Sequence, residues 1–590
     1  MKKLIIFLFF ILNYNLFSQQ LQYNKDEILK AMRDEINRSL KDLRIEGLEK
    51  PYYIAYTVKL RNAINIRATN GSIVDSNTSK FATLTVDLRV GNYQLDNSNF
   101  FDVGLGFFGS TDDEENFKGR VIPYELTYNS LRKELWLATD AAYKQNSEIY
   151  SKKLSVMQSR IQKDTIPDFA EVEPQKNYLT YNIPKFNYNK FINLSKTLSS
   201  IFNNYPEISS SSVVVEYLPE VTFYVNSEGM EYIKTDYYTG IEAAVFSQAK
   251  DGMPLGDSYA IFSKDPDEFP SIDSLSKTFH KLASTFVSVL NAKTLDEPYS
   301  GPVLFTEQAA AELIAQIFAP QLVAMRTPMT EGGFQTDSRG GVFQNKIGGR
   351  VLPEFLSIKA IPTAKKFEEH SLLGYFEIDD DGLIPKDLDI VNNGYLKTLF
   401  NDRSPTRRIK TSNAHKRGGA AMYSTLLIKP DKKKTSDYKS IINRMMKLCK
   451  DRELPYGIIV KRINNQNLLF TTMFRTSYGL LQIPRGEKLS IPEAYKIYPD
   501  GRMELIRGAE LVNISPQSFK DIIMVGKKYY VHNLLAPAVV SSFISGGDSY
   551  IGASIITPDL LIEDAEIKSL EGSFPKPPIL SNPITKSENK

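Results

Sequence analysis

The chain has a single cysteine, Cys449, in 590 residues, a single tryptophan, Trp136, and only four histidines, His280, His370, His415 and His532. One cysteine excludes an internal disulfide, so the fold has to be held by burial and hydrogen bonding. That thiol sits in "SDYKSIINRMMKLCKDREL". There Ile442, Met445, Met446 and Cys449 recur on one helical face, the pattern of a packed core thiol rather than a nucleophile. No two histidines fall at a short ligand spacing and H-E-x-x-H is absent, which removes the contiguous zinc motifs. A G-x-S-x-G elbow and a phosphate-binding G-x-x-x-x-G-K-[ST] loop are also missing. Neither sign of charge dominates: 72 Lys and Arg stand against 69 Asp and Glu, a net charge of +3 to which Lys2 and Lys3 contribute two. That balance gives no case for nucleic acid or for an anionic surface as partner. The apolar run Leu4–Leu12 follows Lys2 and Lys3 and precedes a polar stretch with Ser18 before Gln19. It is too short to cross a bilayer and has the form of a cleaved signal peptide over residues 1–18. No cysteine follows it to carry a lipid. The expectation is an exported protein, periplasmic or secreted, with no membrane span in the mature chain.

What is present is ordinary globular material, 42% hydrophobic and 24% charged, in a chain long enough for two domains with sizeable cores. In "NKDEILKAMRDEINRSLKDL", Ile28, Leu29, Met32, Ile36, Leu40 and Leu43 have helical spacing. "YYIAYTVKL" and "KFATLTVDLRV" read as strands. Helices are expected over about 124–160, around Trp136, and over 186–204. Val221, Phe223 and Val225 alternate up to an Asn226-Ser227-Glu228-Gly229 turn. Leu275, Phe279, Leu282 and Phe286 then mark an amphipathic helix. From about 297 the character changes. Asp381-Gly382, Asn393-Gly394 and Asp500-Gly501 are hairpin signals between strand-like runs, and helical patterns are confined chiefly to 306–319 and 437–452. The fold class expected is α+β, with a mixed α/β N-terminal domain over 19–296, a β-rich C-terminal domain over 297–572 and a loosely ordered tail over 573–590.

Several local patterns suggest chemistry and are better explained without it. "GLGFFG", Gly104–Gly109, matches a dinucleotide fingerprint, but Asp112, Asp113, Glu114 and Glu115 follow where a pyrophosphate needs positive potential. It reads as a loop. "EIDDDGL", around Asp379–Asp381, lacks the alternating ligands and closing glutamate of a calcium loop and reads as a solvated hairpin turn. Lys432–Lys434 read as an exposed loop. His280 reads as a solvated or capping residue, and His415, in "KTSNAHKRGG", as a loop residue.

The segment "GPVLFTEQAAAELIAQIFAP", residues 301–320, is a strand running into a helix. Thr306 is placed to cap the helix, Glu307 to complement its dipole, and Pro320 to end it. Ala310, Leu313, Ile314 and Ile317 form its buried face.

Taken with "NKIGGRVLPEFLSIKAIPT", "GYFEIDDDGLIPKDLDIVNNGYLKTLFNDRSPTRRI", "YPDGRMELIRGAEL" and "SSFISGGDSYIGASIITPDLLIEDAEI", this segment resembles the TldD/TldE (PmbA) family of zinc metalloproteases. The resemblance is strongest from about residue 300 onward. It implies a two-subunit assembly in which TldD carries zinc on H-E-x-x-x-H plus a later cysteine. TldE lacks the site and completes a cavity for unfolded peptides. Carried over by position, the first histidine falls on Thr306, the glutamate on Glu307 and the second histidine on Ala311; the cysteine falls near Ser545. Thr, Ala and Ser cannot rebuild a three-ligand zinc site. The resemblance therefore implies a non-catalytic, TldE-like subunit without a cofactor of its own, paired with an exported TldD-like metalloprotease that holds the zinc. Two alternatives stand beside it. One is a peptidase whose ligands come from elsewhere, such as His415 or His532 with acidic residues, in which Glu307→Gln would abolish hydrolysis. The other is a stand-alone peptide-binding scaffold.

Overall fold

The computed structural model describes residues 23–101, 116–158, 165–330, 341–465, 488–540 and 545–575, with a few positions beyond. The expected signal peptide and the "GLGFFG" stretch lie outside them. The fold is α+β.

The N-terminal half is organised on two very long strands, β1 (Pro51–Thr69) and β2 (Ser72–Val90), in antiparallel register with Val58 opposite Leu84. Five more strands join them: β3 (Arg120–Ile122), β4 (Lys176–Leu179), β5 (Ser210–Asn226), β6 (Glu231–Gln248) and β7 (Pro254–Ser263). The sheet order is β3-β2-β1-β5-β6-β4, with β7 also pairing β6. Successive strand residues face opposite sides, so each strand serves two environments. Ile54, Tyr56, Val58 and Leu60 face a core closed by α1 (Lys25–Asp42) and α2 (Tyr128–Gln158). Further along the same face, Ile64 and Ile66 enter a second core under α3 (Tyr188–Ser200) and α4 (Ile272–Leu290). On the opposite face Tyr53 and Ala55 meet Phe169, Tyr224, Tyr232 and Ile378. The helices start where the sequence offers a cap: the Asn24, Asn187 and Ser271 side chains accept from Glu27, Lys190 and Ser274 N–H groups.

The C-terminal half has two sheets. One contains β8 (Tyr299–Phe305), β13 (Gly457–Arg462), β14 (Glu493–Ile497), β15 (Met503–Ile506), β16 (Ile522–Gly526) and β19 (Leu560–Ser569), in the order β16-β19-β8-β13-β14-β15, with short strands at its margins. The other contains β9 (Leu356–Ala360), β10 (Leu388–Asn392), β11 (Tyr395–Leu396), β12 (Thr425–Pro430), β17 (Tyr530–Pro537) and β18 (Tyr550–Thr557), in the order β11-β10-β9-β12-β18-β17. Between them sit α5 (Glu307–Leu313) and the turns after it, in one large apolar core. Asn393 and Gly394, both at positive φ, make the tight β10–β11 turn, and Asp500-Gly501 closes β14 onto β15. On α6 (Tyr438–Asp451) Ile441, Met445, Leu448 and Cys449 are buried, and burial pushes the Cys449 thiol up to about 11, which keeps it protonated. No helix among the described residues is long and apolar enough to cross a membrane.

Three local expectations change. The helix expected over 306–319 is not uniform: α5 ends at Leu313, a π-helical turn covers Ile314–Phe318, and a 3-10 turn covers Ala319–Leu322. Pro320 has no N–H to donate and its ring crowds the preceding turn, and the Ala319 N–H already reaches back five residues to Ile314. The Asp379–Asp381 turn is not solvated: Asp379 and Asp381 are buried. Asp379 accepts from the N–H groups of Asp381, Leu383 and Lys416, and Asp381 pairs with the Lys416 ammonium at 2.8 Å. Internal donors replace water there. His415 is also buried, between Phe376 and Phe400, with Nδ1 2.8 Å from the Asn413 carbonyl.

Candidate functional site

The strand β8 is buried at every position but Ser300, and its last residue hands over to α5 at a cleft between the two halves. Thr306 does not cap the helix with its hydroxyl. Its N–H donates to the Val460 carbonyl at 3.0 Å and its Oγ1 lies 3.4 Å from the same oxygen. The first free N–H, that of Glu307, is instead taken by the Asp559 carboxylate at 3.0 Å. Glu307 itself has φ +45°, a left-handed conformation that costs a non-glycine residue about 1 kcal/mol. It projects to solvent at the cleft while Ala309, Ala310 and Ala311 pack inward.

The cleft encloses a cavity of about 240 Å³. One wall is β7, the last strand of the N-terminal sheet; β17, the edge of the second C-terminal sheet, adjoins it and also lines the cavity. Glu307, Gln308 and Glu312 on α5, Lys461 and Arg462 at the end of β13, and Glu493 on β14 contribute its polar lining. The Glu312 carboxylate is buried, taking His532 Nε2 at 2.9 Å on one oxygen and Gln316 Nε2 at 2.9 Å on the other. Arg462 reaches across to β7, 2.9 Å from the Asp257 carboxylate, and also donates to the Ser258 carbonyl. Burial pushes Asp257 up to about 6, against the pull of Arg462 and with the charge of Glu493 adding to the rise. Burial likewise pushes the Tyr530 phenol up to about 12, with Glu307 and Glu312 among the contributing charges.

Sheet edges expose main-chain donors and acceptors. On β7 most of that edge is already engaged: Asn464 donates to the Gly256 carbonyl, Arg462 to that of Ser258, and Asn533 to that of Phe262. Ala260, of the same parity along the strand, lines the cavity between them.

The positions that resemblance assigns to a zinc site do not fit the metal. The Thr306 hydroxyl is on Val460, Ala311 offers no donor atom and is buried in the core, and Ser545 Oγ donates to the Gly418 carbonyl at 3.3 Å. The Ser545 loop is pressed onto that turn so closely that a Cβ on Gly547 would lie 2.0 Å from the Gly418 oxygen. Among the described residues no group of three His, Cys, Asp or Glu side chains could hold a metal ion. His415 and His532 are not brought together: one is walled in by aromatic rings, the other lines the cleft. His280 is exposed beside Tyr205. Glu312, Asp257, Arg462, Glu493 and Tyr530 escaped the sequence reading. Glu312, after Ala309-Ala310-Ala311, carried a local signal as a polar residue in an apolar stretch.

Residues 298–569 match the family model of the PmbA/TldA metallopeptidase C-terminal domain. Among solved structures, the chain is similar to a proposed modulator of a DNA gyrase from Thermotoga maritima, with TM-score 0.57 and 12% identity over 91% of this chain and 100% of that one. It is also similar to TldE from Thermococcus kodakarensis, with TM-score 0.55 and 13% identity over 91% of this chain and 100% of that one. At these identities the likeness is one of fold. The comparison with curated proteins gave no match.

Proposed function

Since residues 298–569 place this chain in the PmbA/TldA family, we propose that it is a non-catalytic, TldE-like subunit of a two-chain peptidase acting on unfolded peptides outside the cytoplasm. The observation that carries the reading is the helix α5 itself. It keeps Glu307 at the mouth of the cleft but presents a committed hydroxyl at 306 and a methyl group at 311, where imidazoles would have to stand. A carboxylate without bound metal has no activated water to deprotonate. The cleft would hold an extended segment against β7 and β17, with main-chain contacts at Ala260 and side-chain contacts from α5. The partner would be an exported TldD-like chain with intact ligands; the signal-like pattern of residues 1–18 supports a location outside the cytoplasm for this chain.

The expected result of co-expressing the two chains is a stable complex that degrades unfolded peptides, whereas this chain purified alone, with zinc supplied, does not. Size-exclusion chromatography and a peptide-release assay read both. Hydrolysis by this chain alone would favour the alternative of a peptidase with unrecognised ligands. Failure of the two chains to associate would leave the scaffold reading.

A further inference from the structure

The cleft's charges are unevenly committed, and this deepens the peptide-binding reading on which it rests. Four carboxylates line the cavity, Glu242, Glu307, Glu312 and Glu493, against Lys281, Lys461 and Arg462. Arg462 is held by Asp257 and by the Ser258 carbonyl. The Lys461 ammonium lies 4.8 Å from the centre of the Tyr495 ring, and Lys281 is exposed on α4 at the rim. His532 is bonded to Glu312. The buried Glu493 carboxylate accepts the Tyr495 hydroxyl at 3.0 Å, and Glu307 stands exposed on a strained backbone at the opposite side of α5's first turn from the core.

The geometry points to a cleft selective for a cationic group on an extended peptide, an ammonium or guanidinium seated between Glu307 and Glu493 while the flanking main chain meets the β7 and β17 walls. Charge complementarity of this kind, in a partly enclosed site, is stronger than at an open surface because water screens it less. The ammonium could come from a lysine or arginine side chain or from a free N-terminus, and the chemistry recognised is the same.

Fluorescence anisotropy on the purified full chain separates these. Three unstructured peptides of one length and otherwise one sequence are compared: acetylated and neutral, acetylated with one central lysine, and neutral with a free amine. The expected result is about fivefold tighter binding of at least one cationic peptide over the acetylated neutral one. A gain only for the lysine peptide assigns the side chain, and a gain only for the free amine assigns the terminus. Glu307→Gln, at an exposed position, and separately Glu493→Gln should reduce the ratio of cationic-peptide to neutral-peptide affinity. Equal affinity for all three peptides, or a preference untouched by both substitutions, overturns the inference while peptide binding itself stands. Binding of none overturns it together with the peptide-cleft reading.

Discussion

Replacing Arg403 with alanine is expected to destabilise the protein by about 3–5 kcal/mol, the cost of breaking a buried ion pair from one side. Arg403 is one of the largest fully buried side chains. Its guanidinium takes both oxygens of Glu228, at 2.7 and 2.6 Å, and donates through Nε to the Ala170 carbonyl at 2.8 Å. It also stacks 3.9 Å from the centre of the Phe169 ring, which Arg89 approaches to 3.7 Å. These contacts tie a loop of the C-terminal half to the β5–β6 turn and to the 165–171 segment of the N-terminal half. Truncation leaves the Glu228 carboxylate with Tyr93 and Asn226 but no cation. Arg403→Lys should recover only part of the loss, because an ammonium cannot reproduce the two-pronged contact or the planar stacking. Chemical denaturation of the two variants reads both effects. A loss under about 1 kcal/mol for alanine would mean that water or relaxation replaces the pair.

The second large effect is a loss of stability in acid that traces to His415. Burial lowers its imidazole to about 4, with the charge of Arg417 adding, while the bond to the Asn413 carbonyl opposes the shift. The unfolded chain has an ordinary histidine near 6.5. Between those values the unfolded state binds a proton that the folded state refuses, so stability rises with pH across the window. The contribution is fully present above about pH 6.5 and is lost as pH falls towards 4, a swing of about 3 kcal/mol. His415→Asn keeps a donor near the Asn413 carbonyl and removes the titration. Denaturation curves from pH 7 to pH 4 should therefore show the wild type losing about 3 kcal/mol more than the variant. Parallel losses would place the acid sensitivity elsewhere, in carboxylates such as Asp380, which the Lys234 and Lys59 ammonium groups hold down to about 2 against its burial.

The elements most legible in the sequence were those with uninterrupted periodicity. Five apolar positions of α1 (Ile28, Leu29, Met32, Ile36 and Leu40), the strand-like runs that fall within β1 and β2, and the amphipathic face of α4 are local patterns, and local patterns survive translation into structure. What misled was burial of polar groups. Asp379 and Asp381 look like a solvated turn because carboxylates are seldom buried, and His415 sits in a basic stretch that looks exposed. In both places the compensating partners, Lys416 for Asp381 and the Asn413 carbonyl for His415, can be recognised only once the chain is folded. The cleft was illegible for the same reason. Glu312 and His532 are separated by 220 positions and Asp257 and Arg462 by 205, and no spacing rule joins them. The α5 register was readable, since Thr306, Glu307 and Ala311 are neighbours in sequence. The turn's true cap, Asp559, was not.

The measurement that bears most directly on the account is the zinc content of the purified chain after dialysis against zinc-free buffer. Less than about a tenth of a zinc per chain is the predicted result, since Thr306, Ala311 and Ser545 supply no ligand set for structural or catalytic zinc. About one zinc per chain, retained through mild chelation, would contradict it and would require a metal site built from other residues.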